Sequence, residues 1–160
     1  MSKSLQKITP FLWFDHEAEE AAGFYTSLFE NSSIEAVSRY GESGPGPKGS
    51  AMTVSFQLAG QKFMALNGGP IYKFTEAISF MVNCENQQEI DELWEKLTGG
   101  GQEIQCGWLK DKYGLCWQIV PTRFFEMMGD PDAARTDRVM QAMFRMKKFD
   151  IAALEAAYRG

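Results

Sequence analysis

The sequence predicts an α+β fold built from two modules, each opening with a strand that runs directly into an amphipathic helix. The first pair lies in residues 7–29, where the aromatic run Phe11–Phe14 is too short for a helix and is followed by apolar residues at helical spacing. The second pair lies in residues 77–97, which repeat a short apolar run and then a helical pattern. These two stretches predict a duplicated strand–helix unit as the framework of the chain.

The first helix is predicted from Glu17 onward. Its apolar face consists of Ala18, Ala21, Ala22, Tyr25, Leu28 and Phe29. Glu17, Glu19 and Glu20 fall in the first turn, where carboxylates offset the helix dipole. We expect Asp15 or the residue after it to cap the free backbone N–H groups.

The second helix has a clearer start signal. Asn86 with Glu89 three residues later resembles a capping box, and the apolar face that follows consists of Ile90, Leu93, Trp94 and Leu97. Phe24 and Leu93 are 69 positions apart, as are Tyr25 and Trp94, and Leu28 and Leu97. This spacing indicates two modules of similar length, although residue identity between them is slight and a chance alignment of two amphipathic helices is the alternative.

Three further strands are predicted between the two strand–helix pairs, at Ile34–Tyr40, Met52–Leu58 and Lys62–Leu66. The second strand alternates apolar and polar residues, which predicts one buried and one wet face. Gly41–Gly49 contains four glycines and two prolines, so we interpret it as a mobile loop beside a pocket.

After the second helix, Gly99–Gly101 is a stop signal. Glu103–Cys106 and Trp108–Lys110 predict a short strand pair, and Leu115–Val120 predicts a final strand. The remainder, from about residue 122, is predicted to be helical, with a methionine-rich stripe.

The composition indicates a packed protein with one core. The 160 residues are predicted to form a single domain with internal duplication, with modules at about 7–67 and 76–121 and a helical tail at about 122–160. No apolar run is long enough to span a bilayer and no leader is evident, so we expect a protein of the cytoplasm without a membrane partner. The formal net charge of −5 argues against a nucleic-acid partner.

Three cysteines, at positions 84, 106 and 116, form no C-x-x-C motif. Each lies in an apolar, strand-like segment, where a free cysteine usually acts as a small core residue. We therefore expect reduced thiols without a reactive role.

The order of elements resembles the vicinal oxygen chelate superfamily, which includes glyoxalase I, bleomycin-resistance proteins and extradiol dioxygenases. The closer resemblance is to the PhnB-like branch labelled 3-demethylubiquinone-9 3-methyltransferase, and it is carried by the phrases ITPFLWFDHEAEEAAGFYTSLF, FMALNGGP, ISFMVNC, GWLKDKYGLCWQIVP and VMQAMFRMKKFDIAALEAAYRG. The resemblance implies two βαβββ modules that form a curled mixed sheet with an open cleft, followed by C-terminal helices. It also implies a homodimer, for which the apolar stripe around Met140–Phe144 is a second reason.

Metal-using members of the superfamily present His, Gln or Glu ligands from four strands that surround the cleft. By position, these ligands fall at Thr9 or Pro10, near Ala65, near Ala77 and at Gln118. Because Gln118 alone among these residues has a suitable side chain, we expect no metal cofactor.

The sole histidine, His16, lies just past the first strand and is interpreted as a surface or helix-capping residue. Methyl transfer is what the family label implies, but the residues do not support it. The glycines of Gly41–Gly49 precede a strand and Gly99–Gly101 follow a helix, so neither segment forms the glycine turn that opens a helix in nucleotide-binding sheets.

The predicted cleft residues are Trp13, Asn67, Trp108 and Gln118. Aromatic walls with a few amide groups suit a planar or amphipathic small molecule, aromatic or quinone-like. The alternatives are core packing for each tryptophan and a turn role for Asn67. Gln118 on a buried face needs a hydrogen-bond partner in either case.

These observations lead to a first hypothesis of a metal-free, small-molecule-binding protein with no catalytic residues identified. The second hypothesis is an enzyme, either the methyltransferase of the family label or a glyoxalase-like lyase or dioxygenase. A third is a dimerisation module whose methionine-rich C-terminal helices bind a partner protein.

Overall fold

A computed structural model of the protein describes residues 5–160. The chain forms two compact units: an N-terminal unit that ends at Lys73, and a C-terminal unit that runs from Phe74 to Gly160. None of the helices in the described part of the chain has the length and apolar character needed to cross a membrane.

The N-terminal unit is a four-stranded mixed sheet with one helix against it. Its elements are β1 (Phe11–Phe14), α1 (Ala18–Leu28), β2 (Ser33–Arg39), β3 (Ala51–Leu58) and β4 (Gln61–Asn67). The strand order is β1-β4-β3-β2, in which β1 runs parallel to β4 and the other neighbours are antiparallel. The strand–helix start and the alternating strand predicted from the sequence are both confirmed.

The core of this unit forms where α1 packs on the sheet. Four residues of the predicted apolar face of α1 are buried: Ala18, Ala21, Ala22 and Tyr25, of which Tyr25 is 0% exposed. On the sheet, Val54 and Phe56 of β3 face the same core and are 0% and 1% exposed. Burial of this face supplies the apolar driving force that holds a helix of only 11 residues in place.

The cap of α1 differs from the prediction. The helix begins at Ala18, and Glu17 at the N-cap position makes no side-chain capping bond. Instead, the backbone N–H of Ala18 donates to Oδ1 of Asn67 at 2.8 Å. The expectation that Asp15 or His16 caps this helix is therefore wrong, because an amide at the end of β4 already satisfies the free N–H.

The C-terminal unit repeats this arrangement. Its elements are β5 (Ser79–Cys84), α2 (Gln87–Thr98), β6 (Gln102–Glu103), β7 (Trp108–Lys110), β8 (Cys116–Pro121), α3 (Thr122–Met128), α4 (Ala133–Met143) and α5 (Ile151–Arg159). The strand order β5-β8-β7-β6, with β5 parallel to β8, matches the topology of the N-terminal unit. The predicted fold class, α+β with two βαβββ modules and C-terminal helices, is confirmed.

Helix α2 starts as predicted. The side chain of Asn86 accepts a hydrogen bond from the backbone N–H of Glu89 at 2.9 Å, and the carboxylate of Glu89 accepts from the backbone N–H of Glu85 at 2.8 Å. The buried face of the helix consists of Ile90, Leu93, Trp94 and Leu97, as predicted.

The predicted strand at Glu103–Cys106 is largely replaced by a turn. Strand β6 ends at Glu103, and Cys106 and Gly107 have φ values of 59° and 81°. Left-handed backbone cannot continue a strand. The N–H groups of these two residues instead donate to the carbonyls of Met146 and Lys147, at 2.9 and 2.7 Å.

The same turn anchors the C-terminal helices. A Cβ atom added at Gly107 would lie 2.4 Å from the ring of Phe149, which is 1% exposed. The backbone carbonyl of Phe149 accepts from Nε2 of Gln87 at 2.9 Å, and the N–H of Ile151 donates to Oε1 of Gln87 at 2.8 Å. The tail is thus part of the core of the C-terminal unit.

Asp111 is the buried polar centre of the C-terminal unit, with 2% exposure. Its carboxylate accepts from the backbone N–H groups of Tyr113 and Leu115, at 2.8 and 3.1 Å, and from Nε1 of Trp117 at 2.9 Å. One carboxylate therefore shapes the turn before β8 and fixes the indole of a core tryptophan.

We expect Asp111→Ala to lower the free energy of unfolding by about 3 kcal/mol or more, because each buried donor left without a partner costs about 1–3 kcal/mol. Urea unfolding followed by circular dichroism measures the loss. Asp137→Ala, an exposed aspartate on α4, is the matched control and should cost less than about 0.5 kcal/mol. Equal losses in the two variants would contradict the role assigned to Asp111.

Candidate functional site

Trp13 is held firmly within the N-terminal unit. Its Nε1 donates to the carbonyl oxygen of Gly69 at 2.9 Å, and its ring meets that of Tyr72 edge-on, with centroids 5.0 Å apart. A Cβ atom added at Gly68 would lie 2.2 Å from the ring, so glycine is required at this position. The indole is half-buried and its N–H is already used within the unit.

Asn67 lies at the end of β4 and pairs with Phe14 of β1. Because successive residues of a strand face opposite sides of the sheet, Asn67 leaves the sheet on the side opposite to Trp13. Its Oδ1 accepts from the N–H of Ala18, and its Nδ2 donates to the carbonyl of Ala51 at 3.0 Å. Both ends of the amide therefore have partners within the unit.

Trp108 and Gln118 lie side by side in the C-terminal unit, where they are direct partners in the β7–β8 ladder. Nε2 of Gln118 donates to the hydroxyl of Ser79 at 2.8 Å, and the other end of the amide has no partner in the described part of the chain. The indole N–H of Trp108 likewise has no partner among residues 5–160. The structure thus brings these two predicted site residues together with unused hydrogen-bonding capacity.

This distinguishes Trp108 from the other three tryptophans. Trp13 donates to the carbonyl of Gly69, Trp94 donates to Glu103 at 2.7 Å, and Trp117 donates to Asp111 at 2.9 Å. Within the described chain, Trp108 is the one tryptophan whose N–H remains available. Nothing in the local sequence separates it from the others, because the partners are set by tertiary contacts.

The surroundings of the Trp108–Gln118 pair are both apolar and charged. Met81 is the β5 partner of Gln118 and is 47% exposed. Lys110, the third residue of β7, forms an ion pair with Glu76, and its hydrogen bond holds the pKa of Glu76 below its ordinary value. The face therefore offers an aromatic ring, a thioether, an amide and an ion pair.

The residues do not fit the metal centre that the superfamily implies. Ala65 is completely buried and carries no donor atom, and Gln118 supplies an amide that is already hydrogen-bonded. Across residues 5–160, no three His, Cys, Asp or Glu side chains come together in a metal-binding group. His16 is 78% exposed and lies beside Asp15, its Nδ1 3.5 Å from the carboxylate.

The cysteines are free, and two of them are buried. Burial raises the pKa of the Cys84 thiol to about 12, with a smaller contribution from Glu89 and Glu85. Burial also raises the pKa of Cys116. Since the thiolate is the reactive form, neither residue is suited to act as a nucleophile.

A surface pocket of about 480 Å³ lies within the N-terminal unit, at the carboxyl ends of β1 and β4. Its lining consists of Asp15, His16, Glu19, Arg39, Tyr40, Pro45, Gly46, Pro47, Ser50, Ala51, Asn67, Gly68 and Gly69. Of the predicted site residues, Asn67 alone lines it. The charged residues of the lining, Asp15, Glu19 and Arg39, could not be predicted as a group from the sequence, because tertiary contacts bring Arg39 to the other two.

We expect Cys106 to react first when the native protein meets a thiol-specific disulfide reagent at about pH 8, because Cys84 and Cys116 are buried with raised pKa values. Absorbance of the released thiol measures the number of reacting groups over time. Cys106→Ser should abolish the fast phase. Fast reaction of two or three thiols in the native protein would contradict the burial of the other two.

The sequence model of the family described as 3-demethylubiquinone-9 3-methyltransferase matches residues 6–120. Among solved structures, the PhnB protein from Bacillus cereus is 43% identical, with a TM-score of 0.69, and the match covers 73% of this chain and 100% of that chain. No curated protein matches the chain significantly.

Two more distant structures share the fold. Protein PA1353 from Pseudomonas aeruginosa is 23% identical with a TM-score of 0.61, covering 74% of this chain and 98% of that one. The fosfomycin resistance protein FosX from Listeria monocytogenes, complexed with Mn(II) and sulfate, is 15% identical with a TM-score of 0.50, covering 76% and 91%. By the family match and the Bacillus relative, the chain belongs to the PhnB-like 3-demethylubiquinone-9 3-methyltransferase family.

Proposed function

We propose that the protein binds a planar small molecule that accepts hydrogen bonds, aromatic or quinone-like, without the help of a metal ion. The observation that carries the proposal is the pair formed by Trp108 and Gln118, which are ladder partners. The indole N–H of Trp108 and one end of the Gln118 amide have no partner within residues 5–160. No buried side-chain N or O atom in the described part of the chain lacks a partner, so both unused groups reach the surface, where a ligand can meet them.

Trp108 supplies the main recognition element. Its half-buried ring offers a flat apolar surface, and the N–H at its edge can donate to a carbonyl oxygen of a ligand lying against the sheet. This combination of an apolar body with one directed polar group is typical of small-molecule sites.

Gln118 supplies orientation. The bond to the Ser79 hydroxyl fixes the rotamer of the amide, so its free end points in a defined direction before the ligand arrives. Met81 borders the amide, and its unbranched thioether adapts to the outline of an aromatic ring.

Trp13 and Asn67 remain proposed ligand contacts. Trp13 offers the exposed part of its ring, since its N–H is used by Gly69. Asn67 is limited to packing and backbone contacts, because both ends of its amide are engaged.

The metal-free character of the proposal rests on the chemistry of the available donors. One amide cannot hold a transition metal, which requires about four nitrogen, oxygen or sulfur ligands. The Mn(II) of the Listeria protein belongs to a chain that is 15% identical, a likeness that extends to the fold alone.

A homodimer and a cytoplasmic location are part of the proposal as well. Phe144 on the tail is 60% exposed and Phe125 on α3 is 47% exposed, which supports an apolar contact surface. Val139 and Met143 from the predicted stripe are buried within the unit, so they are not available for such a contact.

We expect menadione, a naphthoquinone, to bind saturably and Trp108→Phe to weaken its binding about 2- to 10-fold, the effect of losing one hydrogen bond of about 0.5–1.5 kcal/mol. Quenching of tryptophan fluorescence or calorimetry measures the affinity. Trp108→Phe should lower the melting temperature less than the same change at a buried, hydrogen-bonded tryptophan, because no hydrogen bond within residues 5–160 is lost.

The matched control is Trp94→Phe, which removes an indole bonded to Glu103. This variant should lower the melting temperature while its affinity for menadione stays the same. Stabilisation by S-adenosylmethionine would favour the methyltransferase of the family name. Stabilisation by Zn²⁺ or Ni²⁺ that disappears in Gln118→Ala would contradict the metal-free proposal.

A further inference from the structure

The pocket of the N-terminal unit is lined in part by Gly68 and Gly69, which also contact Trp13. It lies where β1 ends and α1 begins, and its lining belongs entirely to residues 15–69. Its volume of about 480 Å³ falls in the range of small-molecule sites, about 300–1,000 Å³. Of its lining residues, the proposed function uses Asn67 alone.

The wall of the pocket is preformed around Tyr40. Cβ atoms added at Gly44 and Gly46 would lie 2.5 and 2.4 Å from the Tyr40 ring, so the glycines allow the loop to pack directly against it. The hydroxyl of Tyr40 donates to the backbone carbonyl of Asn67 at 2.5 Å. The loop and the end of β4 are therefore joined, and a ligand would not need to reorganise them.

Two of the charged residues in the lining form an ion pair with each other, and the third, Asp15, has no cationic partner when histidine is neutral. The guanidinium of Arg39 is paired with Glu19, with Nη2 3.1 Å from Oε1, and Nη1 also donates to the carbonyl of Gly49 at 3.4 Å. The carboxylate of Asp15 has only the imidazole of His16, at 3.5 Å, as a side-chain partner among the described residues. With histidine neutral, the lining carries one more negative charge than positive charge.

We infer that this pocket binds a small organic cation, an ammonium group on an apolar body, with Asp15 as its counter-ion. Pro45, Pro47 and Tyr40 supply the apolar surface against which the body of the ligand packs. The side chain of Asp15 is 46% exposed, so a cation can reach it from solvent. The ammonium group then forms an ion pair with Asp15 beside the apolar part of the lining.

An anion is disfavoured, because the guanidinium of Arg39 is already occupied and a negative ligand would face two carboxylates. A bare metal ion is disfavoured as well, since the lining offers one free carboxylate and no group of three metal ligands forms anywhere in residues 5–160. The positive end of the α1 dipole is offset by Glu19 and Glu20 in the first turn.

The test compares three probes of similar size on the full chain by calorimetry at about pH 8, where an ordinary histidine is neutral. The probes are benzylamine, which is cationic, benzyl alcohol, which is neutral, and benzoate, which is anionic. Benzylamine should bind most tightly, by about threefold or more, with an affinity that falls as salt is added.

Asp15→Asn should remove most of the advantage of benzylamine over benzyl alcohol. Glu30→Gln, which makes the same change in net charge at an exposed residue outside the lining, is the matched control and should keep that advantage. Trp108→Phe should also leave benzylamine binding unchanged, so this inference and the proposed function can fail independently.

Equal affinities for benzylamine and benzyl alcohol would overturn the inference, as would the absence of saturable benzylamine binding. Retention of the full preference in Asp15→Asn, with an unchanged melting temperature, would overturn it too. Tighter binding of benzoate would assign the pocket to anions through Arg39.

Discussion

One residue, Asn67, links the helix, two strands and the loop of the N-terminal unit through hydrogen bonds. Its Oδ1 caps α1 through Ala18, its Nδ2 bonds to Ala51 at the start of β3, and its backbone carbonyl accepts the hydroxyl of Tyr40. Helix α1 has no side-chain cap of its own, so its entry angle depends on a residue 49 positions away. The glycine loop after β2 depends on the same point through Tyr40.

The C-terminal unit reaches the same topology by different means. Helix α2 is capped locally by Asn86, and the polar centre shifts to Asp111, whose carboxylate organises the turn before β8. The two units therefore share strand order without sharing the contacts that enforce it. Because the supporting contacts differ, the polar groups left available on each sheet differ too. Among the tryptophans, only Trp108 of the C-terminal unit has an indole N–H without a partner in residues 5–160.

Sequence patterns correctly predicted the features that depend on residues close together in the chain. The face of α2, its cap at Asn86 and the alternation of β3 follow from spacing within a few residues, and the structure confirms them. The cap of α1 could not be predicted, since it joins Ala18 to Asn67. The four tryptophans look alike in sequence, and only the tertiary partners reveal that Trp108 keeps a free N–H. The loop Gly41–Gly49 was predicted to lie beside a pocket, and Pro45, Gly46 and Pro47 line one. The charged residues of that pocket could not be predicted as a group, because tertiary contacts bring Arg39 to residues 15–19.

The contact between Gly107 and Phe149 has a consequence for how this family is delimited. The family match ends at residue 120. The ring of Phe149, beyond that end, fills the space that a side chain at position 107 would occupy. The side-chain amide of Gln87 is also hydrogen-bonded to the carbonyl of Phe149 and to the N–H of Ile151. In a chain without such a tail, this surface would need another cover, such as a bulkier residue at the turn. The end of the family match at residue 120 and the end of the packed C-terminal unit at Gly160 therefore lie in different places.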